Sequence, residues 1–183
     1  MNYSYTVDET NKIHTIQFET DGSVKEKIEK KIKKEQKKNN ILLIDKYVES
    51  FNEDHENLIS DYNYEIVSEK DNCYEVNLIV LFKHMFRNFK ETRKYAKFNV
   101  KLSPTQISVR QNNDITLDLD IPSKTEILPI TKLVTDYTMT EDNKCKTKIV
   151  FETAAPSTEY PNFSMAIKLF EMYLTKDAEK HAN

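Results

Sequence analysis

The sequence predicts an α+β fold: an antiparallel β-meander of about six to eight strands packed against one or two N-terminal helices and a C-terminal helix. Three observations carry this. Apolar and polar residues alternate over most of 62–153, which is the period of a half-buried strand. Apolar residues recur every three or four positions over 23–59 and again near the C-terminus, which is the period of a helix. Short turn clusters, rather than helices, separate the alternating runs, so consecutive strands pair antiparallel instead of crossing over.

Tyr3, Tyr5 and Val7 alternate, the polar "DETN" follows, and His14, Ile16 and Phe18 alternate again, which reads as a β-hairpin. "TDGS" stops the second strand, and Asp21 or Ser23 can cap a helix. Val24, Ile28 and Ile32 then stack on one helical face, and Leu43, Tyr47 and Phe51 repeat that spacing with Ile44, Val48 and Leu58 beside them. Either one helix runs from about 23 to 59 or two are broken at Asn39-Asn40.

Strands follow at Tyr62–Ile66, at Tyr74–Phe82 after the turn "SEKDN", and at Phe98–Leu102 before "SPT". Ile107 and Val109 continue the pattern, and Ile115, Leu117, Leu119 and Ile121 alternate strictly as a further strand. Pro122 and Pro129 mark an irregular connection, and Tyr137 with Met139, "EDNK", and Thr147, Ile149 and Phe151 form a last hairpin. "APSTEYPN" ends the sheet, and Ala166, Leu169, Phe170, Tyr173 and Leu174 form the face of a C-terminal helix with Asn162 or Ser164 as N-cap. The 183 residues are expected to form one α+β domain from which the lysine-rich helix of 23–40 can project.

Gly22 is the single glycine. Phosphate-cradling loops, dinucleotide fingerprints and the nucleophile elbow each need two or more glycines at fixed spacing, so the sequence speaks against P-loop, Rossmann and α/β-hydrolase chemistry. Cys73 and Cys145 lie far apart with no CxxC, which fits two packed thiols in a reducing cytoplasm. The N-terminus is polar, and the longest apolar run, Leu78–Phe82, is too short to span a bilayer.

Charge is blocked along the chain although the net charge is only −3. Residues 25–38 hold eight lysines against three glutamates, and 83–101 hold seven cations against one glutamate. Residues 45–75 and 114–142 are correspondingly acidic. In the first basic block, Lys27, Lys30, Lys31 and Lys34 outnumber their local acids beside the narrow seam of Ile28 and Ile32, which suits a protein partner or a second copy through 23–60. In the second, Lys83, Arg87, Lys90, Arg93 and Lys94 are interleaved with Phe86 and Phe89, the mixture that single-stranded nucleic acid or an anionic surface would use. The same residues also fit a short amphipathic helix whose cations are merely solvated.

Catalytic signals are weak. Asp118 and Asp120 share a face at strand spacing, with Asp114 or Glu126 as a third oxygen ligand for a divalent cation, but they equally fit the wet side of a strand. His14, His55, His84 and His181 have no paired metal-ligand spacing. We therefore expect no catalytic residue, no metal and no cofactor.

Three functions compete: a protein-interaction or adaptor module using the lysine-rich helix, an anion-directed binder of nucleic acid or an anionic surface using 83–101, and a carrier of a small hydrophobic ligand. The third follows from architecture, because helices laid on a curved antiparallel sheet can enclose an apolar cavity. That arrangement resembles helix-grip and NTF2-like folds, and a sheet closed by a terminal helix is similar to pleckstrin-homology domains. No functional residue of these families is matched.

Overall fold

Period-two alternation becomes pleat. In the computed structural model, which describes residues 3–8, 10, 12–21, 26, 29–31, 33–34, 37–38, 42–54, 58–71, 73–83 and 93–154, nine strands join in one sheet. They are β1 (Tyr3–Asp8), β2 (Ile13–Asp21), β3 (Ile59–Lys70), β4 (Cys73–Phe82), β5 (Lys94–Leu102), β6 (Gln106–Gln111), β7 (Glu126–Ile127), β8 (Ile130–Met139) and β9 (Lys144–Thr153). The order is β1-β2-β9-β8-β6-β5-β4-β3, with the two-residue β7 pairing parallel to β5 and every other pairing antiparallel.

The meander from β3 to β9 is thus closed by the N-terminal hairpin, which docks on the last strand. Because β2 and β3 lie near opposite edges, residues 22–58 must cross six strand spacings, about 29 Å. Helix α1 (Leu43–Asp54) forms part of that crossing. Ile44 and Val48 are buried one turn apart, and Tyr47 packs against the core cluster. Residues 26, 29–31, 33–34 and 37–38 are also helical, whereas Leu42 is not, so the chain is interrupted between them and α1. Helix α1 stops at Asp54, short of the sequence expectation, because Ile59 already pairs with Phe82 and Asn52 closes the gap. The Asn52 side chain accepts from the Ile59 amide at 2.8 Å and donates to the Ile59 carbonyl at 3.2 Å.

Register puts one row of side chains on a single face across the sheet: His14, Phe151, Leu133, Val109, Val100, Val76. Val76, Leu78, Val80 and Phe82 of β4 and Ala96, Phe98, Val100 and Leu102 of β5 form the core cluster with Ile44. Burying each large member contributes about 1.5–3 kcal/mol. The opposite face carries polar ladders: Lys132 with Glu152 at 2.7 Å, Asn99 donating to Asn77 at 3.2 Å, and Asn77 donating to Glu65 at 2.8 Å.

Several sequence expectations are corrected. Among the described residues the sheet has nine strands, slightly more than the expected six to eight. The strand expected at 115–121 does not join the sheet; it is an irregular strap over the outer face. Lys97 Nζ donates to the Ile115 carbonyl at 2.7 Å and Asn63 Nδ2 to the Asp118 carbonyl at 2.8 Å. Asn63 and Lys97 flank Ile79 in register, so the strap passes over Ile79, which with Leu81 is buried on this outer face. Its alternation therefore reports real burial, with Ile115 inside and Asp118 and Asp120 exposed, but no ladder. Strand β3 runs on to Lys70, so "SEK" is strand and the turn begins at Asp71. Cys145 is buried as expected, whereas Cys73 is exposed; neither forms a disulfide. The C-terminal helix expected near 164–174 lies outside the described residues.

With so little glycine, left-handed backbone falls on Lys12, Asp71, Lys124 and Asn143, at φ of 58°, 50°, 68° and 57°. Asp and Asn tolerate this region; lysine has no compensating local hydrogen bond. Lys124→Gly should raise the stability by roughly 0.5–1 kcal/mol, the relief of the Cβ clash less the added chain entropy. Thermal melting checks this: an increase of about 1–3 °C is expected, and a decrease would contradict it.

Candidate ligand-binding face

The inner face of the sheet is chemically divided. Every buried residue of β4 and β5 is apolar. Among the described residues, the buried polar side chains are His14 of β2, Thr135 of β8, and Thr147 and Thr153 of β9. Register places Thr135 opposite Ile149, Thr147 opposite Tyr137, and Phe151 between His14 and Leu133. Directly opposed residues share a face, so these polar groups stand among Cys145, Ile149 and Phe151 on the same surface that carries the core farther along. One half is a core; the other is an apolar wall with a few hydroxyl and imidazole groups set into it, the composition of a small-molecule site.

Area explains why the halves differ. An α-helix with its side chains is about 10–12 Å across, enough for two or three strands spaced 4.8 Å apart. Helix α1 lies chiefly over β3, β4 and β5, through Asp45, Ile44 and Tyr47, and is too narrow to cover β8, β9 and β2 as well. Besides Asn52 near its end, a carboxylate in its first turn ties it to the sheet: Asp45 accepts from Tyr62 Oη at 2.9 Å and from Tyr64 Oη at 3.0 Å, one phenol on each oxygen. The two rings lie side by side on β3, with centroids 6.3 Å apart.

Several phenols respond to this setting. Burial, reinforced by the hydrogen bond to Asp45, pushes Tyr64 up to about 12, and Tyr62 is raised further for the same reasons. Burial also pushes Tyr137 up to about 12, with Tyr47, Cys145 and Glu29 adding to it. Tyr47 is raised by burial and then by Glu29. Tyr137 of β8 thus lies within electrostatic reach of Tyr47 on α1 and of Glu29 on the lysine-rich helix. His14 is fully buried and stacks on Phe151, with ring centroids 4.5 Å apart and planes 2° from parallel.

The residues singled out by charge fall elsewhere. Lys30, Lys31 and Lys34 are exposed on the lysine-rich helix; Lys27, Ile28 and Ile32 lie outside the described residues. In the second basic block, Arg87, Lys90, Phe86 and Phe89 are outside them too. Lys83 is exposed beside Phe82. Arg93 donates to the Phe82 carbonyl at 3.1 Å and to Ser60 Oγ at 3.3 Å, and Lys94 pairs with Glu126. Lys101 pairs with Glu75 at 3.5 Å, and Lys97 holds the strap. The described cations of this block other than Lys83 are thus engaged within the fold, Lys101 through an exposed pair. Among the described residues no group of three or more His, Cys, Asp or Glu could hold a metal. An open cleft of about 220 Å³ beside Lys70, Cys73, Tyr74 and Lys101 is smaller than the usual small-molecule site.

Sequence reasoning overlooked the mixed half of the inner face. The signal was present: in "KCKTKIVFET" the inward positions include Thr147 and Thr153, whereas "YEVNLIVLF" puts only tyrosine and aliphatic or phenyl groups on its inner face.

No family model matches the chain, and no curated protein matches it. Among solved structures, the chain is similar in fold to human STARD10, with a TM-score of 0.51 at 7% identity, covering 93% of this chain and 71% of that one. At that identity the likeness concerns the fold alone, a sheet with helices laid on it. No helix among the described residues is long and apolar enough to cross a membrane.

The phenols give a test by titration. A raised folded-state pKa contributes stability that is complete below the unfolded value of 10 and is lost as pH rises through about 12. Absorbance at the phenolate band should therefore show a fraction of tyrosines ionising well above pH 10 in the native protein and none when it is denatured. Asp45→Ala should shift part of that fraction back and cost roughly 1–2 kcal/mol, the low end for charge-assisted bonds because the site is partly exposed. An unchanged titration would show that Asp45 does not set the phenols.

Proposed function

We propose that the protein is a non-enzymatic carrier of a small hydrophobic ligand, held between the β8–β9–β2 part of the inner face and the helices crossing it. The observation that carries this reading is the restriction of buried polar side chains to that half of one continuous apolar face. A core needs no hydroxyls there, whereas a bound molecule with one polar end needs a few to orient it. The expected ligand is an apolar chain or ring system ending in a hydroxyl, carboxyl or amide that meets Thr135, Thr147, Tyr137 or His14. The sheet-and-helix likeness to human STARD10 is compatible with this reading. Together they weigh for a carrier over the adaptor suggested by charge pattern alone.

Titration of the full chain with cis-parinaric acid, alongside native mass spectrometry for co-purifying molecules, tests the reading. One-to-one binding is expected. Ile149→Trp should weaken it at least tenfold with little loss of stability, because the new ring takes the ligand's place. Absence of probe binding, together with a loss of about 1–3 kcal/mol or more in the variant, the signature of overpacking, would show that the protein's own side chains fill the face.

A further inference from the structure

The lysine-rich helix deepens that reading by suggesting where the ligand is exchanged. At 100° per residue, Lys30, Lys31, Lys33, Lys34, Lys37 and Lys38 fall within an arc of about 160° along about 12 Å of helix. All six are exposed. Glu29 lies about 120° round from the centre of that arc; it is half-buried and acts on Tyr47 and Tyr137. The Glu29 side therefore meets the fold and the lysines point away from it. Among the described residues the arc's one ion pair is Lys30 with Glu26 at 3.5 Å, where both side chains are mostly exposed and the pair counts for little.

We propose that this lysine arc docks the protein on an anionic lipid bilayer, next to the face where the ligand is held. The chemistry of the arc selects among polyanions. Residues 25–38 contain no arginine and no aromatic residue. Single-stranded nucleic acid is held by ring stacking as well as charge, and the arc offers no ring. Protein interfaces favour arginine and aromatic anchors and are depleted in lysine. A bilayer surface asks only for ammonium groups on flexible stems, spread over a plane, and runs of four to eight on a helix suffice. With a net charge of −3 the molecule has no general attraction to anions, so the arc also orients it.

Flotation of the full chain with vesicles tests this inference, which rests on the carrier reading only for its purpose. Binding is expected to phosphatidylcholine vesicles containing one-third phosphatidylserine, not to phosphatidylcholine alone. It should vanish at about 0.5 M salt, where screening leaves a Debye length of only a few Å. The triple variant Lys31→Glu, Lys34→Glu, Lys38→Glu should bind roughly a hundredfold more weakly, from the contribution of each lysine at such a surface. Lys148→Glu, on the outer sheet face, should stay within about twofold, since that face points elsewhere. The glutamine triple variant, which adds no repulsion within the helix, should show the same direction with unchanged melting. Equal binding to neutral vesicles, indifference to both triple variants, or capture of an oligonucleotide or acidic polypeptide in place of vesicles would overturn the proposal. Probe binding in vesicle-free solution separates the two readings. The triple variants should keep it, and docking by a protein that binds no probe would sink the carrier while supporting the surface.

Discussion

The pleat is the constraint on which everything else depends. Eight laterally paired strands, with register shifts only in the β3–β4 and β8–β9 pairings, carry most of their apolar side chains to one side, and a face that wide is unstable in water unless covered. The chain meets this by sending residues 22–58 across the sheet between its second and its last-ranked strand, so the covering helices arise from the topology itself. Asp45, binding two phenols on β3, and Asn52, bonded to Ile59, then set where α1 rests. The buried polar side chains appear on the part of the same face that α1 is too narrow to cover. Topology, coverage and the candidate site are one problem solved at three scales.

Much of this was legible in the residues. The N-terminal hairpin, the strands around Val76, Val100 and Ile149, and the helix carrying Ile44 and Val48 follow from spacing, because burial on one side imposes a period that the sequence must obey. Spacing failed where burial and hydrogen bonding part company. Ile115 to Ile121 alternate because one side of the strap rests on the sheet, yet no neighbouring strand pairs with it. The alternation reports an interface, not a ladder. The parallel pairing of Glu126 and Ile127 with Lys94 and Tyr95 had no signal at all, since two residues carry no period.

The charge blocks misdirect for a related reason. Sequence adjacency counts charges along the chain, whereas the fold sorts them by face and by partner. Lys97, Lys101, Arg93 and Lys94 look like a cationic cluster in one dimension, but in three they serve as a strap anchor, a cross-strand pair, a strand-end donor and an edge pair. The lysines of 30–38 differ because a helix keeps them together on one side. The same sorting hid the candidate site: Thr147 and Thr153 are unremarkable in a list of residues and become informative only as inward positions among Ile149 and Phe151.

The docking of β2 on β9 ties the N-terminal hairpin to the last strand of the described sheet. At ordinary synthesis rates the hairpin leaves the ribosome roughly ten seconds before its partner strand exists. Until then the apolar residues of β2 have no neighbour on that side, and the long loop between the two must close late, which slows folding. The mixed half of the inner face straddles that final seam. On the proposed carrier reading, a cargo molecule would find no completed berth on the nascent chain, and loading would wait for the finished sheet.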